Sequence, residues 1–183
     1  MVDLVHPYLH AFDFPYHDEL LEKAESLKKD WDERIDNTPT EGYNLSIMDE
    51  EFRQYLEGKI VPIVALEYGL RVPDSPQAPC WMYIQDDKDF ASVWHRHCSA
   101  QMMCGLVCST YLNPPSEGGK FEFIGDDPNN SIRLTPEKNK LYVFPNWLLH
   151  RPLPQKDSTT RFCLTYQYVY DRRISHPKTD ILW

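Results

Sequence analysis

The chain has 183 residues, 42% of them hydrophobic and 26% charged, which is ordinary for a globular protein and enough for one substantial core. A formal net charge of −9 argues against general affinity for nucleic acid or an anionic membrane surface, and no Lys/Arg cluster offsets it locally. No basic start joined to an apolar stretch marks the N-terminus, and the apolar runs fall far short of a bilayer span, so neither a secretory signal nor a membrane helix is expected.

Residues 1–16, with Pro7, Tyr8, Phe12, Phe14 and Pro15, read as an extended arm or an edge strand. Near Asp18 the period changes. Leu20, Leu21, Ala24, Leu27 and Trp31 recur at helical spacing, with Glu, Lys and Asp on the opposite, solvated face. Thr38-Pro39-Thr40-Glu41-Gly42 reads as a loop. A second helix is predicted from Met48 to Tyr68, with Asp49, Glu50 and Glu51 at its positive N-terminal end. Phe52, Tyr55, Leu56, Ile60, Ile63, Val64 and Leu66 give it a broad apolar face, and Pro62 is a candidate kink. Both helices are expected to buttress a sheet and to carry no chemistry.

The prolines between Val72 and Pro79 mark the passage to a β-rich part. Strands are predicted at 80–85, 92–97, 103–113, 119–124, 131–134, 140–144 and 161–170. Turns separate them at Asp86-Asp87-Lys88, at Pro114-Pro115, from Gly125 to Asn130 and from Pro152 to Asp157. Many short strands at this spacing indicate a mainly β fold, a sandwich, jelly roll or barrel, with N-terminal helices. The expected organisation is a single domain: arm and helices over 1–75, a β core over 76–170 and a tail over 171–183. Five cysteines (Cys80, Cys98, Cys104, Cys108, Cys163) make an odd count without zinc-type spacing, which predicts structural thiols in a reduced, cytoplasmic protein.

The stretch with chemistry is Trp94-His95-Arg96-His97. Two histidines one residue apart share a face of a strand, and an imidazole pair at that spacing is a two-point grip for a transition metal. His150 follows the apolar run Leu141–Trp147, and Arg161 opens another strand. His6, His10, His17 and His176 stand apart and read as structural or surface residues.

From His95 to Thr165 the chain resembles the prolyl-hydroxylase-like branch of the 2-oxoglutarate and Fe(II)-dependent oxygenases. The resemblance is carried, in order, by His95-Arg96-His97, Tyr111-Leu112-Asn113, Gly118-Gly119-Lys120-Phe121-Glu122-Phe123, Phe144 to His150, and Arg161-Phe162-Cys163-Leu164-Thr165. It implies a double-stranded β-helix, with His95 and His150 as iron ligands and Arg161 paired with the distal carboxylate of 2-oxoglutarate. Tyr111 and Thr165 match family positions whose hydroxyls help to hold that carboxylate. The implied reaction consumes dioxygen, converts 2-oxoglutarate to succinate and CO2, and hydroxylates an amino-acid side chain, a peptide or a small molecule. The departure is His97, where the family has a carboxylate. It is a third metal ligand, or it turns away while water or Asp86, Asp87 or Glu122 supplies the charge, or the site is silent. Its bulk disfavours the halogenating variant of the chemistry, which needs a small residue there.

Two other readings accompany this one. His95-Arg96-His97 with Gln101, and Pro145 before His150, loosely echo a cupin with three-histidine iron that does not use 2-oxoglutarate; that reading leaves Arg161 and Thr165 without a role. The other is a catalytically silent metal- or metabolite-binding protein on the same scaffold. Trp94, Trp147 and Arg151 flank the histidines, either as packing residues or as pocket lining, and Asp86, Asp87 and Asp89 form a loop that could cover a substrate. The C-terminal Asp180–Trp183 either packs back on the domain or meets a second subunit, which leaves a homodimer open.

Overall fold

The structure, a computed structural model, describes residues 2–6, 8–34, 43–46, 50–69, 80–85, 93–98, 105–124 and 131–169; for 2–6, 30–34, 43–46 and 169 no side chain is described. Its elements are β1 (Val2–His6), β2 (Leu9–Asp13), α1 (His17–Arg34), β3 (Tyr43–Ser46), α2 (Glu50–Tyr68) and β4 (Cys80–Gln85), then β5 (Gly105–Tyr111), β6 (Phe121–Ile124), β7 (Ser131–Leu134), β8 (Lys140–Pro145), β9 (His150–Pro152) and β10 (Arg161–Val169). The strands form a seven-stranded sheet in the order β1-β2-β8-β5-β10-β4-β3 and a three-stranded sheet in the order β7-β6-β9. Every strand pairing is antiparallel.

Strand alternation assigns the large sheet two different jobs. Phe162, Leu164, Tyr166 and Tyr168 of β10, with Met82, Ile84, Leu106, Cys108, Leu141 and Val143, face the helices. Leu20 and Ala24 of α1 and Phe52, Leu56, Ile60, Val64 and Tyr68 of α2 close that core. On the other face Val107, Tyr111, Tyr142, Phe144 and Cys163 meet Phe121 and Phe123 of the small sheet. A central strand buried from both sides needs apolar or internally bonded residues throughout, and β5 is buried from Gly105 to Tyr111. The site described below lies on this second face, between the two sheets.

In α2 the buried positions Phe52, Leu56, Ile60 and Val64 repeat every four residues, one stripe of a helix. The helix runs through Pro62. Pro62 lacks the N–H that would bond the carbonyl of Gly58, and both residues are exposed, which leaves that carbonyl on the solvent side of the helix. Among the described residues, no helix is long and apolar enough to cross a membrane.

The structure corrects the sequence reading at three places. The segment 93–98 is no strand; within it His95 makes an isolated bridge with His150. β3 and β9 appear where no strand was predicted, β3 paired to β4 and β9 to β6. Both are short and owe their conformation to the partner strand rather than to an alternating pattern of their own. Cys80, Cys98, Cys108 and Cys163 are free thiols. Cys104, the turn 125–130, the loop with Asp86, Asp87 and Asp89, and the tail from 170 onward lie outside the described residues.

Leu56 is fully buried under the sheet. Leu56→Ala is expected to cost about 2–5 kcal/mol of stability, read as a lower urea midpoint at unchanged slope.

Candidate metal and oxoacid site

His150 opens β9 and is 4% exposed. Its Nδ1 lies 2.8 Å from the Leu148 carbonyl oxygen. Since a carbonyl only accepts, Nδ1 must carry the proton, and Nε2 is left with its lone pair. His95 repeats the arrangement, Nδ1 donating to the Val93 carbonyl at 3.0 Å. Such a bond fixes both tautomer and ring direction in metal-binding histidines. The backbones of His95 and His150 exchange two hydrogen bonds, each 3.0 Å, so the two rings are carried side by side with centroids 4.4 Å apart.

His97 is turned toward them. Its amide donates to the Asn146 carbonyl at 2.9 Å, its carbonyl accepts from Gln167 Nε2 at 3.3 Å, and its ring stacks on Trp81 with centroids 5.1 Å apart. His97 Nε2 comes within 3.1 Å of His150 Nε2. Two nitrogens bound cis to one ion at about 2.1 Å sit about 3.0 Å apart, so this pair has the spacing of two ligands of a common metal. One ligand atom from each of the three histidines falls within 4.8 Å of the others. Burial, reinforced by the neighbouring His95, pulls the pKa of His97 down to about 4 and that of His150 to about 3. Both are neutral near pH 7, the form that donates to a metal. The donor set therefore fits a borderline divalent transition ion.

Among the described residues no carboxylate joins the cluster. Glu122, one of the carboxylates weighed for that role, is engaged elsewhere. Its Oε1 accepts from Arg133 Nε at 2.7 Å and from Ser131 Oγ at 2.8 Å, and its Oε2 accepts from Arg151 Nε at 2.7 Å. Burial alone would raise its pKa, but these donors outweigh it and hold the carboxyl at about 2.

Arg161, the first residue of β10, is fully buried. Its Nη1 donates to the carbonyls of Gly119 at 3.1 Å and Leu153 at 3.3 Å, and its Nη2 donates to Gln85 Oε1. Among the described residues its Nε has no partner. No carboxylate of the described residues neutralises it. Gly118 and Gly119, with φ of 76° and 58°, turn the chain so that the Gly119 carbonyl reaches the guanidinium. A Cβ on Gly119 would stand 2.2 Å from Pro115 Cγ, so only glycine fits there.

The floor between the arginine and the histidines follows from register. Cys163 of β10 pairs across to Tyr83 of β4 and Tyr111 of β5, and Thr165 pairs to Trp81 and Ser109. Arg161, Cys163, Thr165 and Gln167 alternate onto one face, with Gln167 at the histidine end. Thr165 Oγ1 and Ser109 Oγ share a hydrogen bond of 3.2 Å. Burial, together with Cys163, raises the Tyr111 hydroxyl well above its usual pKa, so it remains a proton donor. Sequence reasoning missed Trp81, Gln85, Cys163 and Ser109. Their places come from pairing between strands: Gln85 lies opposite Arg161, Trp81 and Ser109 opposite Thr165, and Cys163 opposite Tyr111, so no single strand's pattern carried the signal.

The flanking residues are packed. Arg151 stacks on Trp94, Cζ 4.5 Å from the ring centroid, and Trp147 meets Tyr8 edge to face at 5.1 Å. His17 is buried, its Nδ1 donating to the Phe14 carbonyl at 3.0 Å, and His10 stacks on Tyr68 at 5.5 Å; both are structural.

Solved structures similar to this one share its fold. A prolyl-4-hydroxylase from Pseudomonas putida superposes with a TM-score of 0.64 at 17% identity, covering 89% of this chain and 92% of the other. A prolyl hydroxylase from Trichoplax adhaerens, bound to a peptide of a hypoxia-inducible-factor oxygen degradation domain, gives 0.68 at 14%, covering 91% and 86%. HygX from Streptomyces hygroscopicus, holding nickel and 2-oxoglutarate, gives 0.65 at 10%, covering 90% and 83%. No protein-family model and no curated protein matches the chain. The architecture is thus the double-stranded β-helix of these structures, with α1 and α2 packed on the large sheet.

The buried histidines also set an acid limit. His97, His150 and His17 all have pKa values lowered by burial, below the unfolded value of about 6.5. The unfolded chain then binds protons first as pH falls, so their contribution to stability is intact above pH 6.5 and is lost below it. Each such group gives a slope of at most about 1.4 kcal/mol per pH unit. Metal-free protein should show a falling Tm between pH 7 and pH 5; a flat profile would contradict the neutral, buried assignment.

Proposed function

We propose that the chain is a 2-oxoglutarate- and Fe(II)-dependent dioxygenase that hydroxylates an amino-acid side chain or a small molecule, with the metal held by His95, His97 and His150. The observation that carries this reading is Arg161, a fully buried guanidinium on the interior face that faces no carboxylate among the described residues. A cation in that position is costly unless an anion completes it, and a planar guanidinium with an unused Nε suits a carboxylate. An interior arginine and a three-histidine cluster joined by a hydroxyl-lined floor match the two ends of a 2-oxo dicarboxylate. A cupin-type oxygenase without that cosubstrate gives Arg161 no task.

Fe(II) with 2-oxoglutarate and dioxygen would supply the oxidising chemistry, leaving succinate and CO2. The protein's part is to hold and to exclude. His95 and His150 present Nε2 because their Nδ1 protons are tied to Val93 and Leu148. His97 adds a third neutral donor, with Trp81 against one face of its ring. Arg161 fixes the distal carboxylate, with Tyr111 and Thr165 as hydroxyl donors in reach of the same chamber. Phe121 and Phe144 pack against the His150 ring, and with Phe123 they make that side of the site apolar. That some structural neighbours are prolyl hydroxylases, one with a peptide bound, supports a peptide or amino-acid substrate among the candidates.

Anaerobic addition of Fe(II) and then 2-oxoglutarate should produce a visible metal-to-ligand charge-transfer band. Arg161→Ala should weaken 2-oxoglutarate by at least about 2 kcal/mol while metal binding persists, since it removes the charge partner of the distal carboxylate. His97→Asp should tighten Fe(II) by supplying the anionic ligand the native site lacks. A band in His97→Asp with none in the native protein would replace this reading by that of a silent metabolite-binding protein.

A further inference from the structure

Behind the histidines, on the outer face of the small sheet, stands a second constellation that none of the chemistry above uses. Glu122 is 1% exposed and accepts from Arg151 through two nitrogens, Nε and Nη2, each at 2.7 Å. Arg151 lays its guanidinium over the Trp94 ring with Cζ 4.5 Å from the centroid. Arg133 takes the other carboxylate oxygen at 2.7 Å without joining that stack.

The sequence positions matter. Trp94 precedes His95, and Arg151 follows His150. Neighbours along an extended chain point to opposite faces, so the two histidines face inward while their neighbours meet outside. The two backbone hydrogen bonds between His95 and His150 lie between the faces. His150 is further secured by β9, whose Phe123↔His150, Glu122↔Arg151 and Phe121↔Pro152 pairs tie it to β6. His95 has no ladder: among the described residues its backbone is held at this bridge and, two residues on, at His97.

We propose that Glu122, Arg151 and Trp94 form a positioning clamp that sets the direction of His95. Glu122 fixes the guanidinium, the guanidinium fixes the indole, and the indole, held outside, keeps the next side chain turned inward. A half-buried guanidinium–indole stack is a modest attraction, and the buried carboxylate holds the guanidinium in one orientation. The inference rests on the metal reading above for its functional meaning, but not for its geometry.

Two readouts test it. The first is amide hydrogen exchange at His95 and His150 in metal-free protein; the second is the affinity and visible spectrum of bound Co(II), which reports coordination geometry. Trp94→Leu and Arg151→Met should speed exchange at both amides, weaken Co(II) by roughly 10–100-fold and alter its spectrum. Trp94→Phe, which keeps an aromatic face for the guanidinium, should restore both. Arg133→Met is the control. It loosens the same carboxylate without touching Trp94, and should leave exchange and spectrum at native values. Unchanged exchange in Trp94→Leu and Arg151→Met, or an equal effect from Arg133→Met, would overturn the clamp. If native protein takes up no Co(II), the metal reading falls, while the exchange pattern still decides the clamp.

Discussion

Arg161 is enclosed by Gln85, Gly119 and Leu153, and each offers it an uncharged oxygen. A guanidinium cannot shed its proton to escape burial, so its charge must be met by dipoles or by an incoming anion. Much of the interior is arranged around that need. The Gly118-Gly119 turn is left-handed so that a carbonyl can face the arginine, and β4 ends in a glutamine rather than an apolar residue. These dipoles hold the cation in place without cancelling it. In the proposed function a carboxylate would meet an arginine that is already ordered, which is cheaper than ordering one at the moment of binding.

The metal end follows the same electrostatic logic. Three imidazoles bring no negative charge, so a divalent ion there, with Arg161 at the far end, would make the interior between them strongly cationic. With a carboxylate ligand the protein itself would meet part of that charge. Here, among the described residues, Glu122 is the carboxylate nearest to candidacy, and two arginines hold it on the other face. In the proposed function the charge balance would be left to what binds, and a dianionic oxoacid would be favoured over a neutral ligand at both ends at once. Imidazole serves several first-row ions, so the donor set by itself does not select iron.

How much of this was legible in the sequence depended on what held each segment. The helices, β4, β7, β8 and β10 lie close to their predicted bounds, because an amphipathic period or an apolar run ending in Pro, Asp or Gly is a local property. β9 carries His150-Arg151-Pro152 and shows no strand pattern; it is a strand because Phe121, Glu122 and Phe123 pair with it. Gln85 and Cys163 were invisible as site residues for a related reason. Each becomes part of the chamber through register with Arg161 or Tyr111, and register belongs to pairs of strands rather than to either one alone.

Residues 93–98 show where the two kinds of information part. Alternation of Trp94, His95, Arg96 and His97 was read as a strand, and the ladder is absent, yet the facing it implied remains: Arg96 is exposed, and the histidines gather against His150. Strand pairing usually enforces facing, since a rotated residue would lose its ladder bonds. Here the backbone provides the His95–His150 bridge and one bond from His97 to Asn146, which leaves the inward turn to side chains. Trp81 backs His97 from the large sheet and Arg151 holds Trp94 from the small one. A segment outside the sheets is thus held from both sides, at His97 by the large sheet and at Trp94 by the small one.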